Sequence, residues 1–151
     1  VGKTGEFLAR CDTLMKGYWN LPEKTAEALA GGWLHTGDMG YQDEDQYCYI
    51  VDRKDDLIIR GGENISPRDI EEVLYRHPAV QEAAAVGKPD PVYGQKVSAY
   101  VVLKANSKAS EAELQDFCRE HLARFKVPEE IFFAQSLPKN SLGKILKSEL
   151  N

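Results

Sequence analysis

Five consecutive charged residues, Asp52-Arg53-Lys54-Asp55-Asp56, interrupt the chain. Such a run cannot pass through an apolar core, because each charge removed from water without a partner is strongly unfavourable. It reads as a solvated turn and as the boundary between two differently built segments. A chain of 151 residues with 42% hydrophobic and 28% charged residues can fold around one ordinary core, or around one small core with part of another beside it.

The segment before the boundary is rich in glycine, aromatic residues and turns. Glu6 to Arg10 has the texture of a short strand. Pro22 to Ala30 predicts a short helix, with proline in the first turn, Glu23 near the positive end and Gly31-Gly32 as the stop. Met39 to Gln42 and Tyr47 to Val51 flank the turn Asp43-Glu44-Asp45-Gln46, which predicts a hairpin.

Beyond the boundary the pattern is more regular. Leu57-Ile58-Ile59 predicts a strand broken by Gly61-Gly62. Ser66, Pro67 and Asp69 mark a helix start, Ile70, Val73 and Leu74 give its apolar face, and Pro78 ends it. Val80 to Val86 and Lys96 to Leu103 predict strands, separated by a loop containing Pro89-Asp90-Pro91 and Gly94. Ser110 and Glu113 form a capping box ahead of Leu114, Phe117, Cys118 and Leu122. Glu130 to Phe133 predicts a last strand, Leu137 to Lys147 a polar loop, and Ser148 to Asn151 the start of another helix. The order strand, helix, strand, strand, helix, strand implies an α+β sandwich of about 95 residues, a sheet covered by two helices.

The net charge of -5 and pI near 5.3 argue against a nucleic-acid surface. No apolar run approaches the roughly 18 residues of a membrane helix. Cys11, Cys48 and Cys118 share no metal-binding or disulfide spacing and read as thiols in a reducing, cytoplasmic setting, and no metal site is expected. The start Val1-Gly2-Lys3-Thr4-Gly5 lacks an initiator methionine and an apolar leader, so the chain is expected to be an interior piece of a longer protein.

Three segments could carry chemistry. In Trp33-Leu34-His35-Thr36-Gly37-Asp38, a carboxylate on a Thr-Gly turn can accept hydrogen bonds from a ribose diol, or merely close an Asx-type turn. Gly61-Gly62-Glu63-Asn64 allows close backbone approach to a ligand, or is a plain tight turn. Leu137 through Lys147 carries Lys139, Lys144 and Lys147, which could bring an ammonium to a phosphate or carboxylate, or remain a solvated loop.

Taken together and in order, these segments resemble the adenylate-forming superfamily of acyl-CoA synthetases, peptide-synthetase adenylation domains and beetle luciferases. The matching pieces are Met15-Lys16-Gly17-Tyr18-Trp19-Asn20 with Pro22-Glu23-Lys24-Thr25, Gly32 through Asp38, Tyr49 through Asp56, Gly61 through Pro67 with Ile70-Glu71, and Pro138 through Gly143-Lys144. The resemblance spans essentially the whole chain. It implies that residues 1–53 are the β-rich end of a large N-terminal domain, and that residues 54–151 are the small mobile C-terminal domain after a hinge near Asp55. It also implies that Asp38 and Arg53 contact the nucleotide, that Lys144 is the catalytic lysine of adenylation, and that Gly61 and Gly62 help form the coenzyme A tunnel. The implied substrates are a carboxylic acid, a fatty acid ahead of aryl or short-chain acids, ATP with Mg2+, and coenzyme A. The phosphate loop, the magnesium-binding glutamate and the acyl pocket of such enzymes are not in this sequence, so the chain alone is expected to be inactive.

Two other readings stay open on sequence grounds. One is an adenylation domain that loads a carrier-protein pantetheine. Against it, Gly-Gly-Glu-Asn-Ile-Ser-Pro is similar to the coenzyme A ligases rather than to the Arg-Gly-x-Arg-Ile-Glu of peptide synthetases. The other is a stand-alone, non-catalytic module that binds a nucleotide or a protein.

Overall fold

In a computed structural model that describes residues 2–150, the chain divides into two units, one ending at Asp55 and the other beginning at Asp56.

The first unit is a three-stranded antiparallel sheet, β1 (Gly5–Ala9), β2 (Leu34–Gln42) and β3 (Cys48–Arg53), in the order β1-β2-β3. Helix α1 (Pro22–Ala28) has proline and Glu23 in its first turn. The Thr25 hydroxyl ties it down, accepting from the Tyr18 amide at 2.9 Å and donating to the Leu21 carbonyl at 2.8 Å. A 3-10 turn (Ala30–Gly32) follows, where Gly31 and Gly32 take φ of 65° and 78° and end the helical run. Strand β2 starts earlier than the sequence pattern predicts and takes in the whole Thr36-Gly37-Asp38 segment. The β2–β3 hairpin closes through the Asp43 carboxylate, which accepts from the Tyr47 amide at 2.8 Å, while Gln46 sits at φ 68°. That left-handed backbone costs a non-glycine residue about 1 kcal/mol.

Among the described residues of this unit only Gly40 is buried. A methyl group there would overlap the Tyr49 carbonyl oxygen and the Phe7 ring, so the packing of β1, β2 and β3 demands glycine. Trp19, Tyr47 and Ile50 are exposed, Trp19 at 90%. Among the described residues, all buried apolar side chains lie from Ile58 onward.

The second unit opens with the hairpin β4 (Ile58–Arg60) and β5 (Glu63–Ile65). Gly61-Gly62 is therefore a two-residue hairpin turn rather than a simple strand break. Both glycines have positive φ, 58° and 89°, the condition for a tight turn that matches strand twist. Helix α2 (Pro67–Arg76) follows with Ser66 at its N-cap, but without a side-chain capping bond. Strands β6 (Val80–Asp90) and β7 (Gly94–Leu103) form a long hairpin. It runs through Pro89 and Asp90, where the sequence predicts a loop. Strand β6 is an edge strand, and proline is tolerated where no ladder donor is needed. Helix α3 (Glu111–His121) is the crossover that lets β8 (Glu130–Phe133) pair parallel to β7. The capping box is present: Ser110 Oγ accepts from the Glu113 amide at 3.2 Å, and Glu113 Oε2 accepts from the Ser110 amide at 2.9 Å. The expected terminal helix start is a single 3-10 turn (Lys147–Glu149), and Asn151 lies outside the described residues.

The β6-β7-β8 sheet is packed on both faces. Ala83, Ala85, Val97, Ala99, Val101 and Ile131 face Ile70, Val73 and Leu74 of α2 and Leu114 and Cys118 of α3, with Ile58 and Ile65 of the first hairpin joining them. Ala84, Val86 and Val102 point the other way, against Leu137 and Leu150 of the C-terminal segment. This two-sided burial explains the unbroken apolar run from Ala83 to Val86, since alternate residues serve alternate cores. Cys118 lies wholly inside, and burial pushes its thiol up to about 11.

Candidate functional site

In the first unit, Asp38 and Arg53 are direct cross-strand partners of β2 and β3. Arg53 Nη1 donates to Asp38 Oδ1 at 2.7 Å and to the Thr36 carbonyl at 3.0 Å. The guanidinium lies over Gly37, where an added Cβ would stand 2.8 Å from Nη2, and Gly37 itself has φ 71°. The turn is a bulge: between the pairs Glu6↔Met39 and Leu8↔His35, β2 carries two more residues than β1. Bulges re-aim side chains, and this one presents the Asp38 carboxylate, partly exposed, beside a fixed cation. Such a pair can accept hydroxyl hydrogens and offer donors to an anion.

Glu6 is the residue that sequence reasoning missed. Its carboxylate accepts from Lys54 Nζ at 3.0 Å and from the Gly37 amide at 3.1 Å, and it meets His35 Nδ1 at 3.3 Å. The Lys54 ammonium above all, helped by His35 and Gly37, holds the Glu6 carboxyl below its ordinary value, against the opposing effect of desolvation. The Thr36 hydroxyl adds a bond to the Phe7 carbonyl at 2.8 Å and accepts from the Asp38 amide at 3.0 Å. No local signal could reveal Glu6, because its partners lie 29 to 48 residues away. Asp55 is exposed, in a 3-10 turn (Lys54–Asp56), and is the last residue of this unit.

In the second unit the Gly61-Gly62 turn is pinned from outside. The Gly61 amide donates to the Tyr93 carbonyl at 2.8 Å, in the turn between β6 and β7. Asp90 fixes that turn by accepting from the Tyr93 and Val92 amides at 2.7 and 2.9 Å, and these two donors hold its carboxyl below the ordinary value. Arg60 lies over the Tyr93 ring, pairs with Glu129 and donates to the Phe125 carbonyl at 3.1 Å. Gly62 faces open space.

Lys144 sits in a second tight turn. Asn140 Oδ1 accepts from the Leu142 amide at 3.0 Å and the Lys144 amide at 2.9 Å, and Gly143 takes φ 80°. Lys139 and Ile145 close its base as a bridge. The three lysines of this segment are not equivalent. Lys139 pairs with Glu82 at 2.5 Å and Lys147 with Glu71 at 2.8 Å. Lys144 is exposed, and its ammonium has no partner among the described residues. The two glycine-bearing turns are held at opposite ends of β6. Their anchors Glu82 and Asp90 are separated by about 26 Å of extended chain. Among the described residues no three His, Cys, Asp or Glu side chains gather to hold a metal.

Comparison with known proteins identifies the family. A profile of the family described as AMP-binding enzyme C-terminal domain matches residues 69–144. A long-chain-fatty-acid–CoA ligase of Bacillus subtilis is 52% identical over 97% of this chain and 26% of its own length. A 2-succinylbenzoate–CoA ligase of Geobacillus kaustophilus is 47% identical over 98% of the chain and 30% of its own length. The solved o-succinylbenzoate CoA synthetase of Bacillus subtilis, in complex with its acyl-adenylate intermediate, superposes with a TM-score of 0.89 at 41% identity, over 99% of this chain and 30% of that one. The chain thus spans less than a third of the relatives it matches. With its α+β architecture and these matches, it belongs to the AMP-binding enzyme C-terminal domain family, as the C-terminal region found in acid–CoA ligases.

Proposed function

We propose that this chain works as the C-terminal part of an AMP-forming acid–CoA ligase. Residues 1–53 complete a larger N-terminal domain and residues 54–151 form a mobile domain that turns about Asp55. In the first half-reaction a carboxylate oxygen attacks the α-phosphorus of ATP, the bond to the β-phosphate oxygen breaks, and pyrophosphate leaves. Lys144 bridges the carboxylate and phosphate oxygens and stabilises the charge spread over them in the transition state. Asp38 accepts the ribose hydroxyls, and Arg53 holds its carboxylate in place while facing the nucleotide. In the second half-reaction the coenzyme A sulfur, its proton lost, attacks the acyl carbon, and the carbon–oxygen bond to AMP breaks. The Gly61-Gly62 turn then lines the approach of the thiol, since side chains there would narrow it.

The observation that carries this reading is the unpaired, exposed ammonium of Lys144 on a turn whose other lysines are both engaged. The anchoring of the two turns at opposite ends of β6 supports the hinge, because one rotation can exchange one turn for the other. Magnesium accompanies ATP in such chemistry, and among the described residues no three His, Cys, Asp or Glu side chains gather to hold it. A fatty acid is the substrate to try first, after the 52% identical relative, with aromatic acids next after the succinylbenzoate ligases.

The test is Lys144→Ala in the full-length ligase that carries these residues. Pyrophosphate release from acid and ATP should fall roughly 100-fold or more, the usual cost of removing one transition-state donor. Thioester formation from premade acyl-adenylate should stay within a few-fold of the parent. Adenylation at the parental rate would remove Lys144 from the mechanism. The 151 residues alone should show neither activity.

A further inference from the structure

The two engaged lysines have a job of their own. Glu71 Oε1 accepts from the Ala85 amide of β6 at 2.9 Å and from Lys147 Nζ at 2.8 Å. One carboxylate oxygen thus joins α2, the edge strand β6 and the C-terminal 3-10 turn. The Glu71 and Lys147 side chains are only 18% and 21% exposed, against 62% and 56% for the surface pair Arg68–Glu72. A half-buried pair held by a backbone bond keeps its geometry better than a pair loose in solvent. Helix α2 is itself fixed, with Ile70, Val73 and Leu74 in the main core. On the far side of the turn, Lys139 makes the second strut to Glu82 of β6. Between the struts, Ile145 packs against the second core, which Leu137 and Leu150 complete.

We infer that Glu71 and Lys147 are positioning residues for Lys144: they fix the base of its turn on β6 and leave its ammonium free to reach a substrate. The inference rests on the proposed role of Lys144 and adds the residues that aim it. Neither Glu71 nor Lys147 touches the reacting atoms. They act because electrostatic catalysis requires the charge at one place, and a displacement of about 1 Å can cost on the order of 100-fold in rate. The Gly61-Gly62 turn hangs on a different set of contacts, through Arg60, Tyr93 and Asp90, so loosening the Lys144 turn leaves it untouched.

The experiment compares Lys147→Met, Lys147→Arg, Glu71→Gln and Lys144→Ala with the parent in the full-length ligase. Each is assayed for ATP–pyrophosphate exchange at saturating acid, for thioester formation from premade acyl-adenylate, and for thermal midpoint. Methionine keeps the apolar stem of Lys147 and removes its charge. Glutamine at 71 keeps a carbonyl acceptor for the Ala85 amide and weakens only the tie to Lys147. Both should lower the adenylation kcat about tenfold, a smaller loss than removal of the lysine that they aim. Thioester formation should stay within twofold and KM for ATP nearly unchanged, while Lys147→Arg restores most of the adenylation rate. Adenylation within twofold of the parent in both Lys147→Met and Glu71→Gln overturns the inference. So does a parallel loss of both half-reactions, which would mark a general packing role. Lys144→Ala reports separately on the underlying reading: if it alone retains adenylation, the fault lies with the assigned role of Lys144 and the positioning role falls with it.

Discussion

Glu6 shows how much one side chain can organise. Its carboxylate gathers an ammonium, an imidazole and a backbone amide around the bulge that carries Asp38. Because Lys54 above all, with His35 and Gly37, holds its carboxyl below the ordinary value in the folded state, the charge of Glu6 stabilises the folded bulge at pH above the ordinary carboxylate range. The contribution is lost as pH falls through the depressed value. The Gly37 amide, which donates to Glu6 Oε1, should therefore show an NMR chemical-shift titration with a midpoint below the ordinary carboxylate value. Glu6→Gln should abolish that titration and speed exchange of the Gly37 amide at neutral pH. A midpoint at or above the ordinary carboxylate value would mean the Lys54 pair does not hold in solution.

Helix α3 is the element whose start is best specified locally. Ser110 and Glu113 satisfy each other's amides at its N-terminus, with Glu111 also in the first turn, and Arg119 and His121 stand at the other end where cations suit the helix dipole. Ser110→Ala removes one arm of the box and should destabilise the second unit by about 1 kcal/mol in urea unfolding. Helix α2 is anchored differently: Pro67 opens it, and Pro67, Ile70, Val73 and Leu74 are all buried. The β4–β5 hairpin is a third case: its strands are only three residues each, too short to stand alone, and Ile58 and Ile65 make it part of the core.

At the scale of the whole chain, the two units are built on different principles. The second has two packed faces about one sheet and every buried apolar side chain among the described residues. The first has a sheet, a helix and, among its described residues, no buried apolar side chain. Residues 56–151 expressed alone should therefore unfold cooperatively in urea, with a stability of roughly 5 kcal/mol or more, the low end for an ordinary domain. Residues 2–55 alone should show no near-UV circular dichroism and no cooperative transition. Cooperative unfolding of the short piece would show that its sheet is self-sufficient, against the proposal that it completes a larger domain.

The sequence by itself determined what depends on neighbours along the chain. One capping box, proline and glycine punctuation and apolar periodicity placed α1, α2, α3 and most strands. Motif order pointed to the family, which the profile match and the relatives then showed. Tertiary structure decided what depends on residues far apart. It paired β4 with β5 across the Gly61-Gly62 turn, because Ile65 had a core to enter. It carried β6 through Pro89, because that strand lies at an edge. It brought Glu6 to Gly37 and Lys54, and it paired Lys139 with Glu82 and Lys147 with Glu71. By residue type and charge the three lysines of the last turn are alike, and only the resemblance singles out Lys144. Folding brings carboxylates to Lys139 and Lys147 and leaves the Lys144 ammonium without a partner among the described residues.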